Sequence, residues 1–236
     1  MTHLTASFFQ NILQDPAGLL ILVFVLSLSL SFHEFSHAWM ANRLGDDTAA
    51  LQGRLSLNPL RHLDPIGSLM FLIAGIGWAR PVPVNPARFS RNVTMKAGMM
   101  KVSLAGPVSN LVLATVSSFL FYVVLTIMRL TDGGGSILYF FQRLTSQLYF
   151  SNVILAVFNL LPIPPLDGSK VFGSLLPNSL YYKLMQYERY IGMAFLFLVI
   201  FGRGILSTVL TYIRMPFDYI ILKPIGFLFE QLWKLL

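Results

Sequence analysis

The chain has 236 residues, of which 55% are hydrophobic and only 11% charged. A soluble domain of this size carries about 25% charged residues, so the composition excludes a water-soluble globule and places the chain in the membrane class. Lysine and arginine outnumber aspartate and glutamate by 17 to 10. In a membrane chain that bias speaks to topology and anionic lipid, and without a basic cluster interleaved with aromatics it does not suggest a nucleic-acid partner.

The elements are taken in chain order. "MTHLTASFFQNILQDPAG" holds no lysine or arginine before the first apolar run and no small-residue cleavage site. It reads as the approach to a retained first span, not as a removable signal peptide. His3 reads as part of a solvated terminus. Asp15-Pro16-Ala17-Gly18 offers a cap and an early proline, which predicts a helix running to about Ala41, with Gly45 as its stop. Residues 46–95 are rich in proline, glycine and arginine. Their apolar patch, 66–79, is too short for a full span and reads as re-entrant or as a short tilted helix, with Asp64 capping a helix that starts at Pro65. "RPVPVNP" reads as extended chain, because each proline removes a donor and biases its predecessor away from helix.

A second span is predicted over about 98–128, a third over about 146–162 and a fourth over about 188–213. The tail from 216 to 236 either spans or lies in the interface. The expected fold is an all-α membrane protein. It is a polytopic bundle of about 4–6 transmembrane helices with a re-entrant or extended segment between the first two core helices. We expect one domain over 1–236, with a core over about 18–175 and C-terminal helices over about 188–236. The basic residues cluster between 43 and 101, which puts that segment in the cytoplasm and, with the 66–79 patch taken as re-entrant, makes the first and third spans run in the same direction.

The polar residues inside these spans carry the chemistry. With no cysteine, any metal must rest on nitrogen and oxygen ligands. "HEFSH" in the first span sets His33 and His37 one helical turn apart on one face, with Glu34 offset between them. This is the pattern in which two imidazoles hold zinc and a glutamate acts as general base. Titratable groups in a span are costly and usually functional. A catalytic zinc needs a third protein ligand, and Asp167 in "NLLPIPPLDG" can reach the depth of the two histidines from the parallel third span. Taken alone, Asp167-Gly168 also reads as an ordinary turn. His62, beside Arg61, reads as a loop or interfacial histidine.

"HEFSH", "LAGPVSN" and "NLLPIPPLDG", in that order and spacing, resemble the site-2 protease family of intramembrane zinc metalloproteases. "GRLSLNPLRHLDPIGSLM" and "GWARPVPVNP" are further similar to its short bacterial members without a PDZ domain. The resemblance implies one Zn2+ per chain held by His33, His37 and Asp167, with Glu34 as catalytic base. It implies that Asn159 steadies the developing oxyanion, a role in competition with an interhelical hydrogen bond. Asn110 would position substrate or bond the re-entrant segment, and helix packing explains it nearly as well. The implied substrate is a membrane protein cut within or near its transmembrane helix, in regulated intramembrane proteolysis at a bacterial inner membrane, with the active site toward the cytoplasm. The competing reading is a non-hydrolytic zinc-binding membrane protein, a transporter or scaffold. A transporter predicts further titratable groups along several spans, and the spans as drawn above are nearly free of them.

Overall fold

The computed structural model describes residues 15–74 and 77–236. The approach to the first span, with His3, lies outside the described residues. Among them the regular structure is helical: α1 (Pro16–Arg43), α2 (Thr48–Leu51), α3 (Pro65–Ala74), α4 (Met95–Leu130), α5 (Gly135–Asn159), α6 (Asp167–Gly173), α7 (Asn178–Gln186), α8 (Glu188–Phe201) and α9 (Arg203–Trp233). The chain is an all-α polytopic membrane protein. Three helices, α1, α4 and the α9 stretch Gly204–Trp233, are long and apolar enough to cross a bilayer. The pair α7–α8, bent by 60°, makes a fourth if counted as one span. α5 has 25 residues but carries Gln142, Arg143 and Gln147 in its first half.

α1 starts as its sequence predicts. Asp15 accepts the Gly18 amide at 2.9 Å and Pro16 occupies the first turn. Gly45, at φ 103°, ends it in a conformation that a side chain disfavours. The buried face of α1 is an i+4 stripe of Ile21, Val25, Ser29, His33, His37 and Ala41. α4 presents a matching stripe of Gly98, Val102, Gly106, Asn110, Ala114 and Ser118. Small residues on such ridges let membrane helices approach closely. The two helices are antiparallel, because Ala41 packs with Phe89 and Val102 near one end while Ser29 bonds Asn110 further along. α5 returns parallel to α1, tied to it by Asp15–Arg143 at its start and by Ser29–Asn152 further on.

The two flanks of the 66–79 patch lie side by side. Leu63 and Ala79 form an antiparallel bridge and Arg80 donates its amide to the His62 carbonyl at 2.7 Å, so the chain leaves where it entered. Ten residues of α3 reach only about 15 Å, half a bilayer core. Asp64 caps it through the Gly67 amide at 2.8 Å. The connector is pinned at both ends by buried Asp46, which accepts the Thr48 amide at 3.0 Å and the Asn85 amide at 2.6 Å.

Two boundaries differ from expectation. The helix expected as the third span begins at Gly135 and stops at Asn159, since Pro162, Pro164 and Pro165 forbid further helix. The fourth span of 188–213 is broken: α8 ends at Phe201 and α9 absorbs the tail as one helix of 31 residues. Apolar composition is continuous across Gly202, so it did not record the interruption. Pro216 and Pro224 lie inside α9, where neighbouring helices make such breaks tolerable.

Candidate metal centre

His33 and His37 lie on the buried stripe of α1, one turn apart. Their Nε2 atoms are 3.0 Å from each other. Asp167, the first residue of α6, brings Oδ2 to 3.2 Å from His33 Nε2 and 3.3 Å from His37 Nε2. Its arrival depends on the broken backbone before it. The chain turns at Leu160, runs through the three prolines and restarts as a helix at Asp167. Gly168 belongs to that turn, because a Cβ there would strike the carbonyls of Leu160 and Leu161.

The far nitrogens of both imidazoles are occupied. His37 Nδ1 donates to the Val102 carbonyl at 2.7 Å, and His33 Nδ1 meets Asn110 Oδ1 at 2.6 Å. Both partners are acceptors, so each neutral ring carries its hydrogen on Nδ1 and turns an Nε2 lone pair inward. Two lone pairs and a carboxylate oxygen then converge, and three acceptors at one point call for a cation. Their separations approach the roughly 3.3 Å edge of a tetrahedron around zinc with bonds near 2.0–2.1 Å. The donor set, two imidazoles and a carboxylate, suits zinc.

Gly106 of α4 backs this cluster. A Cβ there would lie 2.5 Å from His37 Nε2 and 2.6 Å from His33 Cε1. Absence of a side chain at this position is what leaves room for two rings and an ion.

Glu34 stands beside the pair, half-buried, with Oε2 accepting the Val82 amide at 3.1 Å. The extended segment therefore crosses the carboxylate. Arg54, 6% exposed, holds that segment from the other side, donating to the carbonyls of Arg80 and Pro81. Burial draws the Arg54 guanidinium below its ordinary pKa, against the opposing pull of Glu34.

Asn159 closes α5. Its Nδ2 donates to Leu155 of its own helix at 2.9 Å, which replaces the interhelical bond considered above and leaves its second N–H without a partner among the described residues. Asn110 follows the helix-packing alternative. It bonds neither the re-entrant segment nor an open groove; it is fully buried against His33 Nδ1, Ser29 and Asn152. Ser29, Asn152 and the Val102 carbonyl were not singled out from the sequence. An asparagine inside a span was the available signal for Asn152. His62 is buried, not interfacial. It bonds the Ser56 carbonyl at 2.6 Å and takes no part in the cluster.

The spans also hold a second polar group, contrary to the near absence of such groups expected. Asp218 of α9 pairs with Arg214 at 3.0 Å and accepts the Tyr149 hydroxyl at 2.6 Å. It was missed because the tail had not been read as a continuation of a span. Each Asp218 oxygen has a partner, so the group closes on itself and outlines no path across the membrane.

The model for peptidase family M50 matches residues 90–199. A Bacillus subtilis protein provisionally named zinc metalloprotease YwhC is 44% identical over 184 residues, covering 78% of this chain and 81% of its own. The chain belongs to peptidase family M50, the site-2 proteases. A Methanocaldococcus jannaschii protein provisionally named zinc metalloprotease MJ0611 is 30% identical over 64% of this chain and 71% of its own. Rip2 of Mycolicibacterium smegmatis, also provisionally named a zinc metalloprotease, is 36% identical, and this chain spans 54% of its length. No solved structure matches. The M50 match takes in Gly106, Asn110, Asn152, Asn159 and Asp167, while the two histidines lie before it.

Proposed function

We propose that this M50 protein is an intramembrane zinc endopeptidase that hydrolyses a peptide bond within or beside a transmembrane helix of its substrate. The observation that carries the reading is the convergence of His33, His37 and Asp167 on one point inside the bundle, with both imidazoles held through Nδ1 and Glu34 next to His33. His33, His37 and Asp167 hold the metal. Zinc bound there supplies a Lewis acid that makes water nucleophilic near neutral pH.

Glu34 takes one proton from the attacking water as its oxygen bonds the scissile carbonyl carbon. Asn159 donates its remaining N–H to the oxygen that gains charge, an interaction worth several kcal/mol in a water-poor site. As the C–N bond breaks, Glu34 returns the proton to the departing amine. The Val82 amide engages Oε2 of Glu34, which leaves Oε1 as the oxygen to take the proton. A substrate helix hides its backbone in its own hydrogen bonds and must unwind locally. The Arg80 and Pro81 carbonyls and the Val82 amide are engaged here, so strand addition by a substrate must displace part of that clamp.

The charge distribution supports a cytoplasmic-facing site in a bacterial plasma membrane. Purified wild type and Glu34→Gln, each assayed for zinc and for cleavage of a single-span test substrate, decide the matter. Both should hold one zinc, and the variant should cleave at least about a hundredfold more slowly. Equal cleavage by both, or metal without cleavage in either, would favour a non-hydrolytic zinc protein.

A further inference from the structure

The metal cluster is held from behind by a chain of hydrogen bonds that runs across three helices. His33 Nδ1 lies 2.6 Å from Asn110 Oδ1. Asn110 Nδ2 donates to Asn152 Oδ1 at 2.8 Å and to the Ser29 carbonyl at 3.3 Å. Asn152 Nδ2 donates to Ser29 Oγ at 2.9 Å and to the Leu148 carbonyl at 2.8 Å. Asn110, Asn152 and Ser29 are all 0% exposed.

The direction of this chain is forced. The carbonyls of Leu148 and Ser29 only accept, so the amide nitrogens of Asn152 and Asn110 must face them. That turns Asn152 Oδ1 toward Asn110 and Asn110 Oδ1 toward His33. Both amides then use their two N–H groups. His33 faces an acceptor, carries its hydrogen on Nδ1 and keeps the Nε2 lone pair for the ion.

We propose that Asn152 is a positioning residue for the metal centre: acting through Asn110, it fixes the tautomer and the ring orientation of His33. The inference rests on the zinc reading given above. Its physical content is a flip. Without Asn152, Asn110 keeps only the long bond to the Ser29 carbonyl and has one buried N–H unpaired. Rotating the amide would point N–H groups at His33. The imidazole would then move its hydrogen to Nε2, where it blocks the metal. Asn152 makes that rotation costly by offering an oxygen to Asn110 and no hydrogen. Packing alone would not select one orientation of the amide.

The test measures zinc affinity of the purified full chain in micelles by competition with a chelator, alongside the thermal midpoint. Wild type should bind one zinc. Asn110→Ala should weaken binding about 10–100-fold and Asn152→Leu, which keeps the branched heavy-atom shape, about tenfold. The double variant should match Asn110→Ala within about twofold, because Asn152 acts only through Asn110. An Asn152→Leu protein that is folded and binds zinc like wild type overturns the proposal. So does a double variant whose loss is the product of the two single losses, which marks an independent packing role. If Asn152→Leu is not recovered folded, Ser29→Ala takes its place. It removes an acceptor for Asn152 and should weaken zinc several-fold alone and add nothing to Asn110→Ala; unchanged affinity overturns the proposal. A wild type that binds no zinc sinks the metal reading itself, and is distinguished from the other failures before any variant is compared.

Discussion

α1 and α9 are both long, apolar helices, yet 28% of α1's most apolar stretch is buried and none of α9's is. α1 packs through an i+4 stripe that is half polar, against glycine and alanine on α4. α9 packs through large side chains. Ile221 joins Tyr149 and Val153 in one cluster, Phe229 stacks on Tyr122, and Trp233 donates to Thr126 at 2.8 Å. Close approach of backbones builds a site whose groups have little room to move. Aromatic contact between α9 and the Tyr122–Thr126 end of α4 tolerates adjustment. The prediction is that equal chemical insults will have unequal effects in the two regions.

The largest contrast is between two membrane carboxylates. Asp167→Ala should lower zinc affinity at least about a hundredfold, because it removes one of three proposed ligands. Asp218→Asn removes the charge opposite Arg214 and exchanges the carboxylate that accepts the Tyr149 hydroxyl for a weaker, neutral amide oxygen. It should lower the thermal midpoint by several degrees, for a loss of about 2 kcal/mol, with zinc content unchanged. Zinc lost from Asp218→Asn and kept in Asp167→Ala would reverse the comparison.

A glycine pair sharpens it. A Cβ at Gly106 meets His37 Nε2 at 2.5 Å, and a Cβ at Gly226 meets the Tyr122 hydroxyl at 2.6 Å. The distances match, but a phenol end can swing away and a clamped imidazole cannot. Gly106→Ala should cut zinc affinity at least about tenfold. Gly226→Ala should leave zinc and cleavage within about twofold and slightly raise stability, as alanine does for glycine in a helix. Equal effects would show that the site is no stiffer than the aromatic contact at α9.

The clamp over Glu34 gives a third, intermediate effect. Arg54→Ala frees the carbonyls of Arg80 and Pro81, so hydrogen exchange at the Val82 amide should accelerate about tenfold at unchanged zinc content. Unaltered exchange would mean that Glu34 alone holds the segment.

The smallest effect is expected at the mouth of the bundle. The Arg143 hydrogen bond, with the Gly18 amide, holds the Asp15 carboxyl below the usual carboxylate range. A depressed carboxylate stabilises the fold above its unfolded pKa of about 3.9 and loses that contribution as pH falls through its folded value. The thermal midpoint of wild type should therefore fall more steeply below about pH 4 than that of Asp15→Asn. Parallel curves would remove Asp15–Arg143 as a tie between α1 and α5.

Much of this was legible along the chain. Helix starts at Pro16 and Pro65, the stop at Gly45 and the short helix in the 66–79 patch all follow from local rules about capping, proline and length. His33, Glu34, His37 and Asp167 stand out because titratable groups are rare in apolar runs. Asn152 and Ser29 did not stand out, since a small polar residue in a span has many innocent uses and its partner is named only by packing. The break at Gly202 was hidden for a different reason. Hydropathy records how apolar a stretch is, and one residue between two apolar helices leaves it unchanged.

The order of residues alone determined that the chain lives in a membrane and carries a zinc-peptidase pattern, because burial cost and helical spacing are local properties. Only the tertiary structure decided that Asp167 meets both histidines, that Gly106 leaves them room, that Val82 covers Glu34 and that Asn110 turns toward His33. Those contacts join residues from 48 to more than a hundred positions apart. Distances across such separations are set by which helix faces pack, and no local pattern specifies that.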